Sequence, residues 1–393
     1  MTVRISKPEF NLREKLSELD KPFGIKGNEL LRSETSQDAR DLISAGRKNK
    51  IINGAMLIDQ RHSGSSNSSS NGYHTDRFRT QASGMDQLNQ SYQQVSDGPR
   101  GFPKSLKITT NTAESDIASG GEYLALYQKI EGQNLQDFAY GTASAKPVTV
   151  SFYVKSSITG TFGYTVYRNE TTDRAINKTY TINNANTWER KIITLEGDTV
   201  QAIGNDNADN WWNVWHLGAS PGYYSAPTSV WANYSGSNWA GFHEQNGVIT
   251  TQNATWQITG VQIEIGENAT EFEYRTIGEE LTLCQRYYER HNWVSSQYVG
   301  LSGQHQSASA TSSRFVFPYL TRKRTTDPSF TASGNYRGFP PSSGGEAVTL
   351  TGAEDNDTST RVNVARTTSF AGGTAILILS YGDGNYFEIE DEL

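Results

Sequence analysis

The sequence predicts an all-β protein organised around a sandwich or barrel of antiparallel strands, and three observations predict it. Val148, Val150, Phe152 and Val154 alternate with Thr149, Ser151, Tyr153 and Lys155, the period of two that gives a half-buried strand one apolar face and one wet face. Trp256 and Ile258 share one phase while Val261, Ile263 and Ile265 share the other. The slip falls at Thr259-Gly260, so the spacing predicts a β-bulge there. Between these two runs lie shorter strand-like runs, Thr161 to Tyr167, Thr179 to Ile182, Trp188 to Leu195 and Asn213 to Leu217, separated by Thr159-Gly160, Asn183-Asn184 and Gly197-Asp198. Short strands at regular spacing, without helices between them, build a sandwich or barrel.

Composition agrees. Of 393 residues 35% are hydrophobic and 11% aromatic, with 20 Tyr, 8 Trp and 36 Gly, a balance that fills sheet cores with rings and turns with small residues. A net charge of −7 and a pI near 5.5 argue against nucleic acid as the main partner, because phosphate binding needs a basic face. A single cysteine, Cys284, excludes an intrachain disulfide framework. Met1 to Lys15 lacks the apolar core of a secretory signal, and the longest aliphatic run, Ala375 to Leu379, is far too short to insert into a membrane. The expectation is a chain made in a reducing cytoplasm, without a membrane anchor.

Three segments follow in order. Residues 1–50 carry Leu12, Leu16 and Leu19 at i, i+4 and i+7, then Leu42 and Ile43 in a stretch from Ser36 to Ala45 with Thr35 as N-cap and Gly46 as C-cap. Two short helices with one narrow stripe each cannot form a core alone, so they read as a docking segment. Residues 51–278 form the sandwich, with a first strand expected at Ile51 to Met56, a mobile Ser/Asn/Gly loop at Gly64 to Gly72, and further strands at Ser105 to Thr109 and Tyr123 to Glu131, where Leu124, Leu126 and Ile130 share a face. Residues 279–393 open with a helix or strand linker, Glu279 to Glu289, and continue into a small β domain with strands at Arg314 to Tyr319, Ala347 to Thr351, Arg361 to Ala365 and Ala375 to Tyr381. Ile376 to Leu379 is apolar in both phases, which calls for cover on both faces and favours a homo-oligomer.

Several of these stretches carry a resemblance. Pro8 to Leu16, Gly24 to Gly27 and Leu30 to Thr35 resemble the amino-terminal attachment segment of fibre-type virion proteins from tailed phages, marine ones in particular. Gly46 to Gly54, Asp76-Arg77-Phe78, Val150 to Ser156, Ile258 to Gly266, Phe272 to Arg275 and Cys284-Gln285-Arg286-Tyr287-Tyr288 are similar, in order, to the markers of a jelly-roll module that recurs in phage tail fibres. The resemblance thins beyond residue 300, where a small β domain ends in an acidic tail. It implies a homotrimeric structural protein on the virion surface, attached to another virion protein through residues 1–50, with a central jelly roll presented toward host glycans. The long repetitive shaft of many fibres is missing, so a stubby appendage on tail or capsid is implied. In sugar-binding jelly rolls a carboxylate on the last strand helps hold a structural Ca²⁺ near the first strand; here those positions are Glu264, on the wet phase, and Asn53.

Motifs for catalysis are absent. Six histidines lie scattered without zinc spacing, and there is neither a G-x-S-x-G elbow nor a Walker phosphate loop. Cys284 reads as a small buried hydrophobe, and Asp206 to Asp209 and Glu354 to Asp357 as solvated turns. The densest feature is aromatic: Trp211, Trp212, Trp215, Tyr223, Tyr224, Trp231, Tyr234, Trp239 and Phe242, with five of the eight tryptophans. Two readings stand. The rings pack a core or subunit interface, as the alternation around Trp215 indicates, or they offer flat faces to sugar C–H groups beside Asn and Asp hydrogen-bonders. Trp211, Trp212, Tyr223, Tyr224, Trp231 and Trp239 are the candidate glycan contacts, with Trp231 and Trp239 expected to be exposed. The function expected is adhesion without catalysis and without a cofactor; the alternatives are a decorating structural protein that binds no receptor, and a polysaccharide depolymerase.

Overall fold

A computed structural model describes residues 48–115, 117, 121–241, 247–293, 312–339, 346–365, 377–380 and 383–393. The docking residues Leu12, Leu16, Leu19, Leu42 and Ile43, and Phe242, lie outside them. The first twelve strands are β1 (Tyr73–Thr75), β2 (Phe78–Ser83), β3 (Asn89–Val95), β4 (Ser105–Thr112), β5 (Tyr123–Ile130), β6 (Val148–Ser156), β7 (Gly160–Arg168), β8 (Arg174–Ile182), β9 (Glu189–Leu195), β10 (Trp211–Ala219), β11 (Ala232–Asn233) and β12 (Thr255–Ile265). They form a seven-stranded sheet, β1-β2-β5-β10-β7-β8-β11, and a five-stranded one, β3-β4-β12-β6-β9. Every pairing is antiparallel. This is an all-β sandwich, as the alternating runs predict, consistent with the jelly roll that the resemblance implies.

The predicted inward phases meet in one core. Val148, Val150, Phe152 and Val154 of β6 and Ile258, Val261 and Ile263 of β12 face Leu124, Leu126, Phe162, Tyr164, Trp211 and Trp215 of the other sheet. The bulge is where the phase slip placed it: pairing of β12 with β6 jumps from Thr259↔Tyr153 to Gln262↔Ser151. Gly260 takes φ 64° there, a conformation with little cost only for glycine.

Three expectations are corrected. Ile51 to Met56 is not a strand but a buried turn. Asn53 and Met56 adopt positive φ (59° and 56°), and the Asn53 amide donates to Ile58 O at 2.8 Å and Asp76 O at 2.9 Å. Those side-chain bonds replace a ladder. Gly64 to Gly72 is pinned rather than loose: Asn67 and Tyr92 exchange backbone hydrogen bonds of 3.0 and 2.9 Å, and Thr80 Oγ1 donates to Ser70 O at 3.0 Å. Glu264 is buried, not wet; the segment after β12 folds back over it, so that it accepts from Thr270 N at 2.8 Å and Thr270 Oγ1 at 2.6 Å.

Short helices α1 (Pro221–Tyr224), α2 (Gly247–Thr250) and α3 (Ile277–Gln285) follow in the chain. The linker is therefore a helix, α3, opened by a capping box in which Thr276 Oγ1 accepts from Glu279 N at 3.3 Å and Glu279 Oε2 accepts from Thr276 N at 3.2 Å. Cys284 within it is buried as expected, and burial pushes its thiol pKa up. Beyond come β13 (Tyr288–Trp293), β14 (Ser312–Pro318), β15 (Ser329–Ser333), β16 (Tyr336–Phe339), β17 (Glu346–Asp355), β18 (Ser359–Ala365), β19 (Leu377–Ser380) and β20 (Asn385–Glu390). They make sheets β13-β20-β15 and β14-β18-β17-β16-β19 around Phe315, Phe317, Val362, Val364, Phe387 and Ile389.

The acidic tail is docked, not solvated. Glu392 pairs with Arg77 and with Arg61 at 3.2 Å, Glu390 with Arg61 at 3.2 Å, and Asp391 with Arg324 at 3.5 Å. Two acidic turns are likewise paired, Asp209 with Lys129 at 2.6 Å and Asp357 with Arg322 at 2.5 Å. Among the described residues no helix is long and apolar enough to cross a membrane.

Candidate binding face

Strand alternation sorts the aromatic run onto opposite sides of the seven-stranded sheet. Trp211 points inward, edge-on to Phe138 at 5.5 Å, with Nε1 donating to Asn213 Oδ1 at 2.9 Å. Trp215 is fully buried beside Phe152 and Tyr164. Trp231 joins this inner side, 5.9 Å from Trp211, with Nε1 donating to Glu196 O at 2.8 Å. Trp211 and Trp231 are thus packed against the main core, and the expectation of an exposed Trp231 is corrected to a half-buried ring closing its edge.

Trp212, the next residue, points outward. On this outer face the register aligns Lys129, Trp212 and Tyr167, and beside them Arg79, Tyr127, Val214 and Thr165. Trp212 stacks on Tyr127 with centroids 5.6 Å apart at 22° and meets Tyr167 edge-on at 5.1 Å. The excursion between β10 and α2 folds over one end and delivers Tyr223, Tyr234 and Trp239. Trp239 is buried, contrary to expectation, because Tyr123, Tyr167, Trp212 and Tyr234 all surround it within 6.3 Å. Tyr223 packs edge-on to Tyr123 at 5.1 Å. Tyr224, next along α1, is half-buried and not a member of this cluster.

The outcome is one aromatic patch in which Tyr123, Tyr167, Trp212, Tyr223 and Tyr234 remain half-buried around the buried Tyr127 and Trp239. Its rim is polar. Tyr127 donates its hydroxyl to Gln81 Oε1 at 2.9 Å, Tyr167 to Asp173 Oδ2 at 2.7 Å, and Trp212 Nε1 to Asp209 O at 2.8 Å. Lys129 Nζ lies 3.8 Å from the Trp212 centroid; burial lowers its pKa, against the nearby Asp209 carboxylate. Burial likewise pushes the Tyr123 phenol up to about 12, so it stays a neutral donor. Fixed rings with hydrogen-bonders at their edges suit a ligand with an apolar face and polar rim.

Sequence reasoning missed Tyr123, Tyr127 and Tyr167, which lie far upstream of the tryptophan-rich stretch. The signal was present: Leu124 and Leu126 share the inward phase, which puts Tyr123 and Tyr127 on the opposite face.

Asn53 and Glu264 are each committed to protein partners, and among the described residues no group of three or more His, Cys, Asp or Glu is placed to hold a metal.

No family model and no curated protein matches the chain. Among solved structures, 56% of this chain aligns with the enzymatically active domain of tailspike protein 4 of bacteriophage CBA120, at 11% identity and a TM-score of 0.32, covering 21% of that chain. A CBM4 structure aligns over 55% of this chain and 99% of its own at 14% identity and a TM-score of 0.28. The family 11 carbohydrate-binding module of a Clostridium thermocellum cellulosomal cellulase aligns over 53% and 99%, at 9% identity and a TM-score of 0.26. This chain thus spans about a fifth of the tailspike protein's length, 21%.

Proposed function

We propose that this chain is a fibre-type structural protein of a tailed-phage virion whose sandwich binds host-surface glycans without catalysis. The observation that carries the glycan reading is the half-buried patch of Trp212, Tyr167, Tyr123, Tyr223 and Tyr234 on the outer face of the seven-stranded sheet. Half-exposed rings held by their neighbours lose little freedom on binding, and each offers a flat apolar face to a sugar. The virion setting, the docking of residues 1–50 on another virion protein and a homotrimeric state are supported by the sequence resemblance and by the apolar stripes of the first segment.

The test is retention of the purified protein on host-surface polysaccharide, compared with Trp212→Ala. Binding lost on that substitution supports the reading; equal binding by the variant, or none by either protein, overturns it. Light scattering checks the trimer, and release of reducing ends from the same polysaccharide would replace adhesion with depolymerase activity.

A further inference from the structure

The outer face ends, toward β1, in a cation without a carboxylate. Arg79 of β2 stands in register between Tyr73 of β1 and Tyr127 of β5. Its guanidinium lies 5.9 and 5.8 Å from their ring centroids. The neighbouring cations are matched: Lys129 by Asp209, Arg61 and Arg77 by Glu392, Arg324 by Asp391. Among the described residues no Asp or Glu pairs with Arg79, which is half-buried. Arg79 also lines a cleft of about 950 Å³ with His62, Asn67, Ser69 and Asn71. The cleft is also lined by Asp327, Glu390, Asp391 and Glu392, and the last three of these are already paired with Arg61, Arg77 or Arg324.

A guanidinium flanked by two rings is attracted to their faces, and its planar fork receives a carboxylate or similar anion at two points. Tyr127 connects it to the sugar-sized surface, since it contacts both Arg79 and Trp212. Resting on the glycan reading above, we infer that the saccharide taken by this face is acidic, with its anionic group on Arg79 and a neighbouring ring on Trp212 and Tyr167. Hydroxyls beyond the anion extend into the cleft along Asn67, Ser69 and Asn71.

The experiment uses an array of acidic capsular and lipopolysaccharide oligosaccharides beside the same oligosaccharides after carboxyl reduction, which turns each acid into an alcohol on an unchanged ring. The full chain is expected to bind the acidic set about tenfold more tightly or better, the worth of one charge-assisted contact. That advantage should shrink as salt is raised. Arg79→Gln should lose that preference, and Arg79→Lys should regain part of it, with circular dichroism confirming that each variant is folded. Equal binding of both sets, still weakened by Trp212→Ala, overturns the acidic inference and leaves the glycan reading standing. An acidic preference that survives in Arg79→Gln overturns the assignment to Arg79. Binding to neither set overturns both.

Discussion

The guanidinium of Arg77 lies 3.5 Å from the ring centroid of Tyr287, joining two short stretches that are remote in sequence. Arg61 covers the next ring, Tyr288, at 3.6 Å. Arg286 forks onto Glu131 through bonds of 2.7 and 2.8 Å. The stretches Asp76-Arg77-Phe78 and Cys284 to Tyr288 thus lie on the two sides of the seam between the sandwich and the chain that follows α3. Arg77 also donates to Lys129 O at 2.8 Å and pairs with Glu392.

Arg77→Met should therefore cost about 3 kcal/mol, the low end of the range for breaking a buried pair, because Arg61 still faces Glu392. Arg77→Lys should recover little, since an ammonium cannot stack on Tyr287 and bond both Glu392 and the Lys129 carbonyl. Urea midpoints measure both; a change below about 1 kcal/mol for Arg77→Met would reduce the seam to surface electrostatics.

Asp76 gives the fold a pH dependence of unusual sign. Burial raises its carboxyl from 3.8 to about 6, against the pull of Arg61 and the donors of Gln60. Below about pH 4 both folded and unfolded chains hold this proton. Between there and pH 6 only the folded chain keeps it, so the contribution to stability is lost as pH rises and is gone above the folded value. At about 1.4 kcal/mol per unit this amounts to roughly 3 kcal/mol. Asp76→Asn, which keeps an acceptor for Gln60, should gain that much on the wild type between pH 4 and pH 7. A constant gap across that range, read by denaturant titration, would rule out the ionisation.

Gly54 is fixed by space. A Cβ there would stand 2.1 Å from the Val261 carbonyl oxygen, whose own amide donates to Gly54 O at 2.9 Å. Gly54→Ala must push the turn off β12, at a cost of about 3 kcal/mol. Gly222→Ala meets nothing within 4 Å and should leave the melting temperature within about a degree or two of wild type. Equal effects would mean that the turn yields freely.

What the sequence made legible follows from this. Strand phase is a local property, so β6, β12 and the bulge at Gly260 could be read from side-chain order alone. The turn at Ile51 to Met56 could not, because its apolar pair looks strand-like and only the partners of Asn53, Ile58 and Asp76, reveal the reversal. β13 was equally hidden: Tyr288 and Glu289 are both buried, and the charge of Glu289 is met by Lys323 at 2.8 Å from more than thirty residues downstream. A hydrophobic period cannot register a buried ion pair. For the aromatic face, crowding of tryptophans along the chain was a poorer guide than parity, since neighbouring rings fall on opposite sides of one sheet.

Trp211 and Trp212 put that parity to the test within a single peptide unit. Trp211 is wholly enclosed between Phe138, Tyr140 and Trp231, so Trp211→Ala opens a cavity in the main core and should cost about 3–5 kcal/mol. Trp212 is half-buried and its outer surface faces water. Truncating it forfeits the stacking with Tyr127 and Lys129, about 1–2 kcal/mol, and should remove glycan retention from a protein that still unfolds cooperatively. Thermal unfolding and polysaccharide-affinity electrophoresis on the two variants separate the roles. If Trp212→Ala proved as destabilising as Trp211→Ala while leaving retention intact, the outer rings would be a plug that seals the sheet, and the binding face would have to lie elsewhere.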